Sequence, residues 1–263
     1  MTNEISSLFR NRERLLLMTH VVAGYPDPAT SRATVETMAG QGADLIEIQI
    51  PFSDPLADGP TITAANRIAL ENGTRPRDCF AMVRDLSARL STPLLIMTYV
   101  NIPFQMGLER FAAACAEAGA AGAIIPDLPR DEIDEDLPAL LSEHGLAHIP
   151  VLSPGMRPDR IRTILEGASG FVYVTLKTGV TGALSEIGGR GLEFLDVVRA
   201  ASALPIAAGF GISSPEHIRL LRGKADAVVV GSRVIDLFNR EGLDGVRAFL
   251  EGCRAELSRR VPA

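Results

Sequence analysis

The sequence predicts an α/β protein folded as a single (β/α)8 TIM barrel. Three observations predict it: eight short apolar runs, a segment of helical period after each, and a chain of 263 residues, 46% hydrophobic, long enough for one large core. The runs at 15–23, 45–50, 93–98, 121–125, 147–152, 170–175, 205–208 and 226–230 read as strands. Helix signals occupy 28–41, 63–90, 107–118, 130–144, 158–168, 189–200, 213–222 and 243–257, with Asp159 and Ser214 near starts and Gly145 and Gly223 near ends. Regular alternation implies parallel pairing through right-handed crossovers, and eight such units in about 250 residues is the usual size of a closed barrel. An open doubly wound sheet would show the same alternation and is the alternative. No repeat, low-complexity tract or Pro/Gly/Ser-rich linker divides the chain, so one domain over 1–263 is expected.

Composition narrows the partners. A formal charge of −6 and a pI near 5.3, with the Lys and Arg residues unclustered, offer no basic field for nucleic acid. The first residues, MTNEISSLFRNRER, are polar, and the apolar runs elsewhere fall short of the ~20 residues that span a bilayer, so a soluble cytoplasmic protein with no membrane association is expected. Cys79, Cys115 and Cys253 are odd in number and far apart, which fits buried free thiols. The four histidines, His20, His144, His148 and His217, are too scattered to suggest a metal site.

Two connections are long, 51–62 and 176–188. Both follow strands, which puts them at the C-terminal face of a barrel, where active-site loops lie, and their glycines and prolines suggest lids. In the second strand side chains alternate, so Ile46, Ile48 and Ile50 face the helices while Leu45, Glu47 and Gln49 face the interior. Glu47 then stands near the strand's C-terminal end, where desolvation suits a carboxyl to proton transfer near neutral pH. The plainer alternative is a carboxylate neutralised by a buried cation. The next loop, Pro51-Phe52-Ser53-Asp54-Pro55-Leu56-Ala57-Asp58-Gly59-Pro60, is stiffened by prolines and can hold Asp58 at the same cavity, although Asp and Gly also serve simple turns. Glu47 and Asp58 form the candidate acid/base pair. Glycine clusters at Gly179-Val180-Thr181-Gly182, Gly209-Phe210-Gly211 and Gly231-Ser232 follow strands six, seven and eight, where bare backbone N–H groups and helix starts suit a phosphate.

The segment Ile46-Glu47-x-x-Ile50-Pro51-Phe52-Ser53-Asp54-Pro55-Leu56-Ala57-Asp58-Gly59-Pro60 resembles the signature of tryptophan synthase α subunits. Matching pieces run through almost the whole chain: Tyr99-x-Asn101 with Phe104 and Gly107, Pro126-Asp127-Leu128-Pro129, and the three glycine clusters with Ile212 and Ser213. The resemblance implies a lyase that cleaves indole-3-glycerol phosphate to indole and glyceraldehyde 3-phosphate in tryptophan biosynthesis. It implies Glu47 as the general acid/base, Asp58 as the carboxylate on the indole N–H, and Tyr173 near the reacting carbon. Gly182, Gly211, Gly231 and Ser232 would take the phosphate. His20, Gln49, Met97, Tyr99, Leu128, Thr181 and Phe210 would line the substrate pocket, and Asp54, Pro55 and Asp127 would couple to a partner. That partner is the tryptophan synthase β subunit in an α2β2 heterotetramer, and it would carry the pyridoxal phosphate, with no cofactor or metal in this chain.

The sequence departs from the family at four places. The family has a glycine at Gln49, an aromatic residue at His20, an aspartate at Tyr25, and an arginine at Lys177, which has weaker bidentate capacity. His20 and Gln49 can pair inside the barrel, as part of the site or merely as a structural hydrogen bond. These differences leave open a partner subunit with weak activity of its own, and a relative acting on a modified indole glycerol phosphate. A sugar-phosphate isomerase or epimerase would share the glycine clusters but has no need of the 46–60 segment.

Overall fold

A computed structural model describes residues 4–10, 14–128, 136–176, 189–209 and 211–258. Nine strands pair in parallel: β1 (Leu16–Val22), β2 (Leu45–Gln49), β3 (Leu94–Met97), β4 (Gly122–Ile124), β5 (Ala147–Ile149), β6 (Val151–Leu152), β7 (Val172–Thr175), β8 (Ile206–Gly209) and β9 (Ala227–Val230). Their order, β5-β4-β3-β2-β1-β9-β8-β7-β6, begins and ends on the two halves of one predicted strand. Pro150 divides that strand because it has no N–H for the ladder. The pairing nevertheless runs past the break, since the Pro150 carbonyl accepts from Tyr173 N at 2.9 Å and the His148 carbonyl from Ser169 N at 2.9 Å. The ring is therefore closed at eight strand positions, and the open-sheet alternative is excluded.

The helices are α1 (Glu4–Arg10), α2 (Pro28–Gly40), α3 (Pro60–Glu71), α4 (Pro76–Ser87), α5 (Asn101–Met106), α6 (Leu108–Glu117), α7 (Leu137–Glu143), α8 (Pro158–Leu165), α9 (Gly189–Ala201), α10 (Glu216–Leu221) and α11 (Ser232–Leu257). Starts follow local chemistry. Asp27 caps α2 by accepting from Ala29 N and Thr30 N at 2.9 Å each, with Pro28 in the first turn. The helix expected over 63–90 is two, because the turn at Asn72-Gly73, with Gly73 at φ +83°, separates α3 from α4. The last helix begins eleven residues earlier than the predicted 243 and kinks at Gly242, where φ is 64°. α1 and α5 were not expected from the sequence.

Alternation of side chains along the strands makes two apolar layers. Ile46, Ile48 and Ile50 pack outward among the helices, as predicted. Leu45, Met18, Leu95, Met97, Ile124, Tyr173 and Val229 fill the interior. Fully burying each such side chain contributes about 1.5–3 kcal/mol, which strongly disfavours a one-residue slip of register. At the N-terminal end of the strands α1 closes the tube. Its Ile5 and Phe9 are buried, with the Phe9 ring 5.4 Å from that of Phe171. Polar residues tie the same end: Asp44 takes both Arg14 nitrogens at 2.8 and 2.9 Å and Leu17 N at 2.7 Å. Cys79, Cys115 and Cys253 are buried free thiols.

Candidate active site

The C-terminal end of the barrel opens into a cavity of about 280 Å³. His20 from β1, Glu47 from β2, Met97 from β3 and Tyr173 from β7 line it, together with Asp58 from the loop after β2 and with Gly211, Gly231 and Ser232 across from them. The parallel register sets His20 directly beside Glu47, and their side chains meet with His20 Nδ1 3.4 Å from Glu47 Oε1, both buried. Burial works against a charged ring, but the charge and hydrogen bond of Glu47, with help from Asp58 and Gln49, outweigh it and hold His20 above its ordinary value.

Asp58 is held from several directions. Its N–H donates to the Pro55 carbonyl at 2.9 Å, and its Oδ2 accepts from Gln49 Nε2 at 2.7 Å. Tyr99 also hydrogen-bonds this carboxyl, and its hydroxyl accepts from Ala57 N at 3.1 Å. Burial raises the Asp58 carboxyl, and the Gln49 bond, His20 and Tyr99 pull the other way. Phe52 stacks on Tyr99 with centroids 5.4 Å apart, and Phe52 N donates to Asn66 Oδ1 at 2.9 Å. The 51–62 loop, which the sequence suggested as a lid, is held at Phe52, Ala57 and Asp58 by these contacts. Burial, then the charges of Glu47 and Asp58, push the Tyr173 hydroxyl well above its ordinary value, so it stays protonated.

The predicted site residues divide by location. Glu47, Asp58, Tyr173, His20, Met97, Gly211, Gly231 and Ser232 line the cavity. Gln49 and Tyr99 lie buried behind it, against Asp58. Leu128 does not line it: the turn Ile125–Leu128 carries this side chain outward, into a neighbouring cavity with Asp127, His148 and Arg160. Asp127 accepts from Val100 N at 2.9 Å and Asp54 is exposed beside buried Pro55. Thr181, Gly182 and Phe210, with Lys177 and the rest of the 176–188 loop after Leu176, lie outside the described residues. His20 faces Glu47 at 3.4 Å, and the expected hydrogen bond between His20 and Gln49 is not formed in this structure, where His20 Nε2 and Gln49 Oε1 are both unpaired.

The sequence reading missed Thr175 and Ser153, which line the cavity and share a hydrogen bond of 2.9 Å. It also missed the apolar wall of Ile62, Ile124, Val151 and Met156. Inward alternation along the last strand residues was the only signal for Thr175 and Val151. Asn66 was missed as well; it ties α3 to the loop through Phe52 N and to its own helix through the Ile62 carbonyl at 2.9 Å. Among the described residues no group of His, Cys, Asp and Glu could hold a metal ion, and no helix is long and apolar enough to cross a membrane.

A closed parallel barrel with two buried carboxylates at its C-terminal mouth, facing a wall edged with glycine, is that of an acid/base enzyme of the (β/α)8 class. The model of the tryptophan synthase alpha chain family matches residues 7–255, and the chain belongs to that family. A tryptophan synthase alpha chain from Syntrophotalea carbinolica is 43% identical over 240 residues, 91% of this chain and 94% of that one. Another, from Chloroflexus aurantiacus, is 41% identical over 97% of this chain and 98% of its own. Among solved structures, tryptophan synthase of Mycobacterium tuberculosis superposes with a TM-score of 0.91 at 34% identity, covering 99% of this chain and 100% of that one. A chain from Pyrococcus furiosus, described in terms of mutual activation of the tryptophan synthase α2β2 complex, gives 0.84 at 30% identity, covering 91% and 98%.

Proposed function

We infer that this chain cleaves indole-3-glycerol phosphate by a retro-aldol reaction to indole and glyceraldehyde 3-phosphate, as the α partner of a tryptophan synthase β subunit. The observation that carries the reading is the convergence of Glu47 and Asp58 in one buried cavity with Gly211, Gly231 and Ser232 on its rim. The cleavage needs two proton movements and no oxidation. Glu47 takes the proton from the hydroxyl on the carbon that becomes the aldehyde and passes it to ring C3 as the bond between them breaks, which regenerates the carboxylate. Asp58 accepts from the indole N–H and balances the positive charge that C3 protonation places on the ring. Tyr173 stands near the reacting carbon, and the apolar wall of Ile62, Ile124 and Met156 suits the indole.

The phosphate lies against Gly211, Gly231 and Ser232, at the start of α11; the resemblance adds Gly182, which lies outside the described residues. The family resemblance assigns Thr181 and Phe210 to the substrate pocket; both lie outside the described residues. The β subunit docks on the C-terminal face. Two large apolar side chains there favour this, Leu56 at 72% exposure after β2 and Phe104 at 60% after β3. Asp54, Pro55 and Asp127 lie on the same face and would transmit its binding to the braced Asp58 loop. Pyridoxal phosphate is the partner's cofactor, and the protein works in the cytoplasm. The test is indole release by the isolated chain and with titrated β subunit. Turnover alone that rises on complex formation is expected; no indole release under either condition would overturn the reading.

A further inference from the structure

Two buried atoms at the cavity wall have no hydrogen-bond partner, His20 Nε2 and Gln49 Oε1. Buried polar atoms are nearly always paired, and these two belong to side chains whose other ends are committed. His20 Nδ1 faces Glu47 Oε1 at 3.4 Å. Gln49 Nε2 donates to Asp58 Oδ2 at 2.7 Å and has Asn66 Oδ1 at 3.4 Å. An amide nitrogen between two acceptor oxygens fixes the orientation of the amide, so Oε1 must present itself on the opposite side. Gln49 follows Glu47 by two residues on the same face of β2, and His20 is paired with Glu47 across from β1. The ring thus meets a carboxylate at Nδ1, and the carbonyl of Gln49 is a buried acceptor left without a partner beside the bare Nε2.

We propose that His20 and Gln49 are positioning residues that form one hydrogen-bonded chain, Glu47–His20–Gln49–Asp58, in which the ring donates through both nitrogens and fixes the two carboxylates relative to each other. Two carboxylates in one buried cavity repel, and without a cation between them one takes up a proton. A doubly protonated ring puts a positive charge between the two carboxyls, and its second N–H locks the amide that orients Asp58. The charged groups acting on the ring are Glu47 from β2 and Asp58 from the loop after it. From β9 and the start of α11 come Val229, Gly231 and Ser232, which do not titrate, and from β7 comes Tyr173, whose hydroxyl stays protonated. The direction of the His20 shift agrees with this chain.

The inference rests on Glu47 and Asp58 being the working carboxylates, but its test needs no turnover. In the full chain labelled with 15N-histidine, both His20 nitrogens are expected to be protonated at pH 7 and to lose a proton only above the ordinary histidine range. Gln49→Leu should lower that midpoint, and Gln49→Glu, which puts a carboxylate beside the ring, should raise it. The alkaline limb of the kcat/KM profile for indole release should move with the ring in each variant. The Gln49→Leu loss should fall mainly on kcat and stay below the roughly 10²-fold expected of a direct acid/base group. A bare Nε2 on the folded wild type at pH 7, or a His20 midpoint unmoved by both Gln49 substitutions, would overturn the chain. Absence of indole release in the wild type would instead strike at the reaction, and the ring titration would still decide this inference.

Discussion

Gly209, the last residue of β8, lies so close to Tyr173 that a Cβ built on it would fall 2.6 Å from the tyrosine hydroxyl and 2.9 Å from Cζ. The glycine is therefore what lets Tyr173 stand upright in the cavity. Gly209→Ala is expected to fold, at an overpacking cost of about 1–3 kcal/mol, with Tyr173 displaced and kcat lowered. A crystal structure of the variant with Tyr173 unmoved would sink this account.

Glu47→Gln keeps the volume of the side chain and removes its ability to transfer a proton. Indole release should fall by about 10²–10⁴-fold, with circular dichroism and unfolding midpoint close to wild type. Asp58→Asn should be similarly damaging, since a neutral amide cannot balance charge on the ring. Near wild-type turnover in either variant removes that residue from the mechanism.

Gly231 offers a cleaner test of the phosphate wall than Gly211. An added Cβ at Gly231 meets only His20 Cβ at 3.8 Å and Ile62 Cδ1 at 3.9 Å, which is ordinary contact. At Gly211 the backbone sits at φ 106°, where any side chain is strained. Gly231→Ala should therefore fold normally and act through crowding of the anion, raising KM more than it lowers kcat. Unchanged KM would place the phosphate elsewhere.

His20 also links stability to pH. Its folded-state value lies above the ordinary 6.5, so its contribution is fully present below the unfolded value and is lost as pH rises through the folded one. Denaturant midpoints measured across neutral to alkaline pH should show the wild type losing stability relative to His20→Gln over that window. A constant difference between the two proteins would refute the linkage.

Much of this arrangement was legible in the residues. The isoleucines at 46, 48 and 50 set the facing of β2 and hence of Glu47, and the prolines around Asp58 gave away a stiff loop. The break at Pro150 and the turn at Asn72-Gly73 carried their signals in the sequence, a proline inside an apolar run and an Asn-Gly pair inside a helical segment. α1 was harder. Its two buried residues, Ile5 and Phe9, sit in a charged stretch, and their partners Ala147, Gly170 and Phe171 lie far along the chain. Ser153 and Asn66 could not be read as site residues either, since nothing local distinguishes them, and Thr175 carried only its inward place in the alternation. They gain a role only when β6, β7 and α3 are brought together around one mouth.

The plug formed by Ile5 and Phe9 under Phe171 turns the barrel into a vessel with a floor. Whatever reaches Glu47 descends from the rim where Leu56 and Ser232 stand, and both products must climb out past the same side chains. A protein seated on that rim would then govern arrival and departure at once.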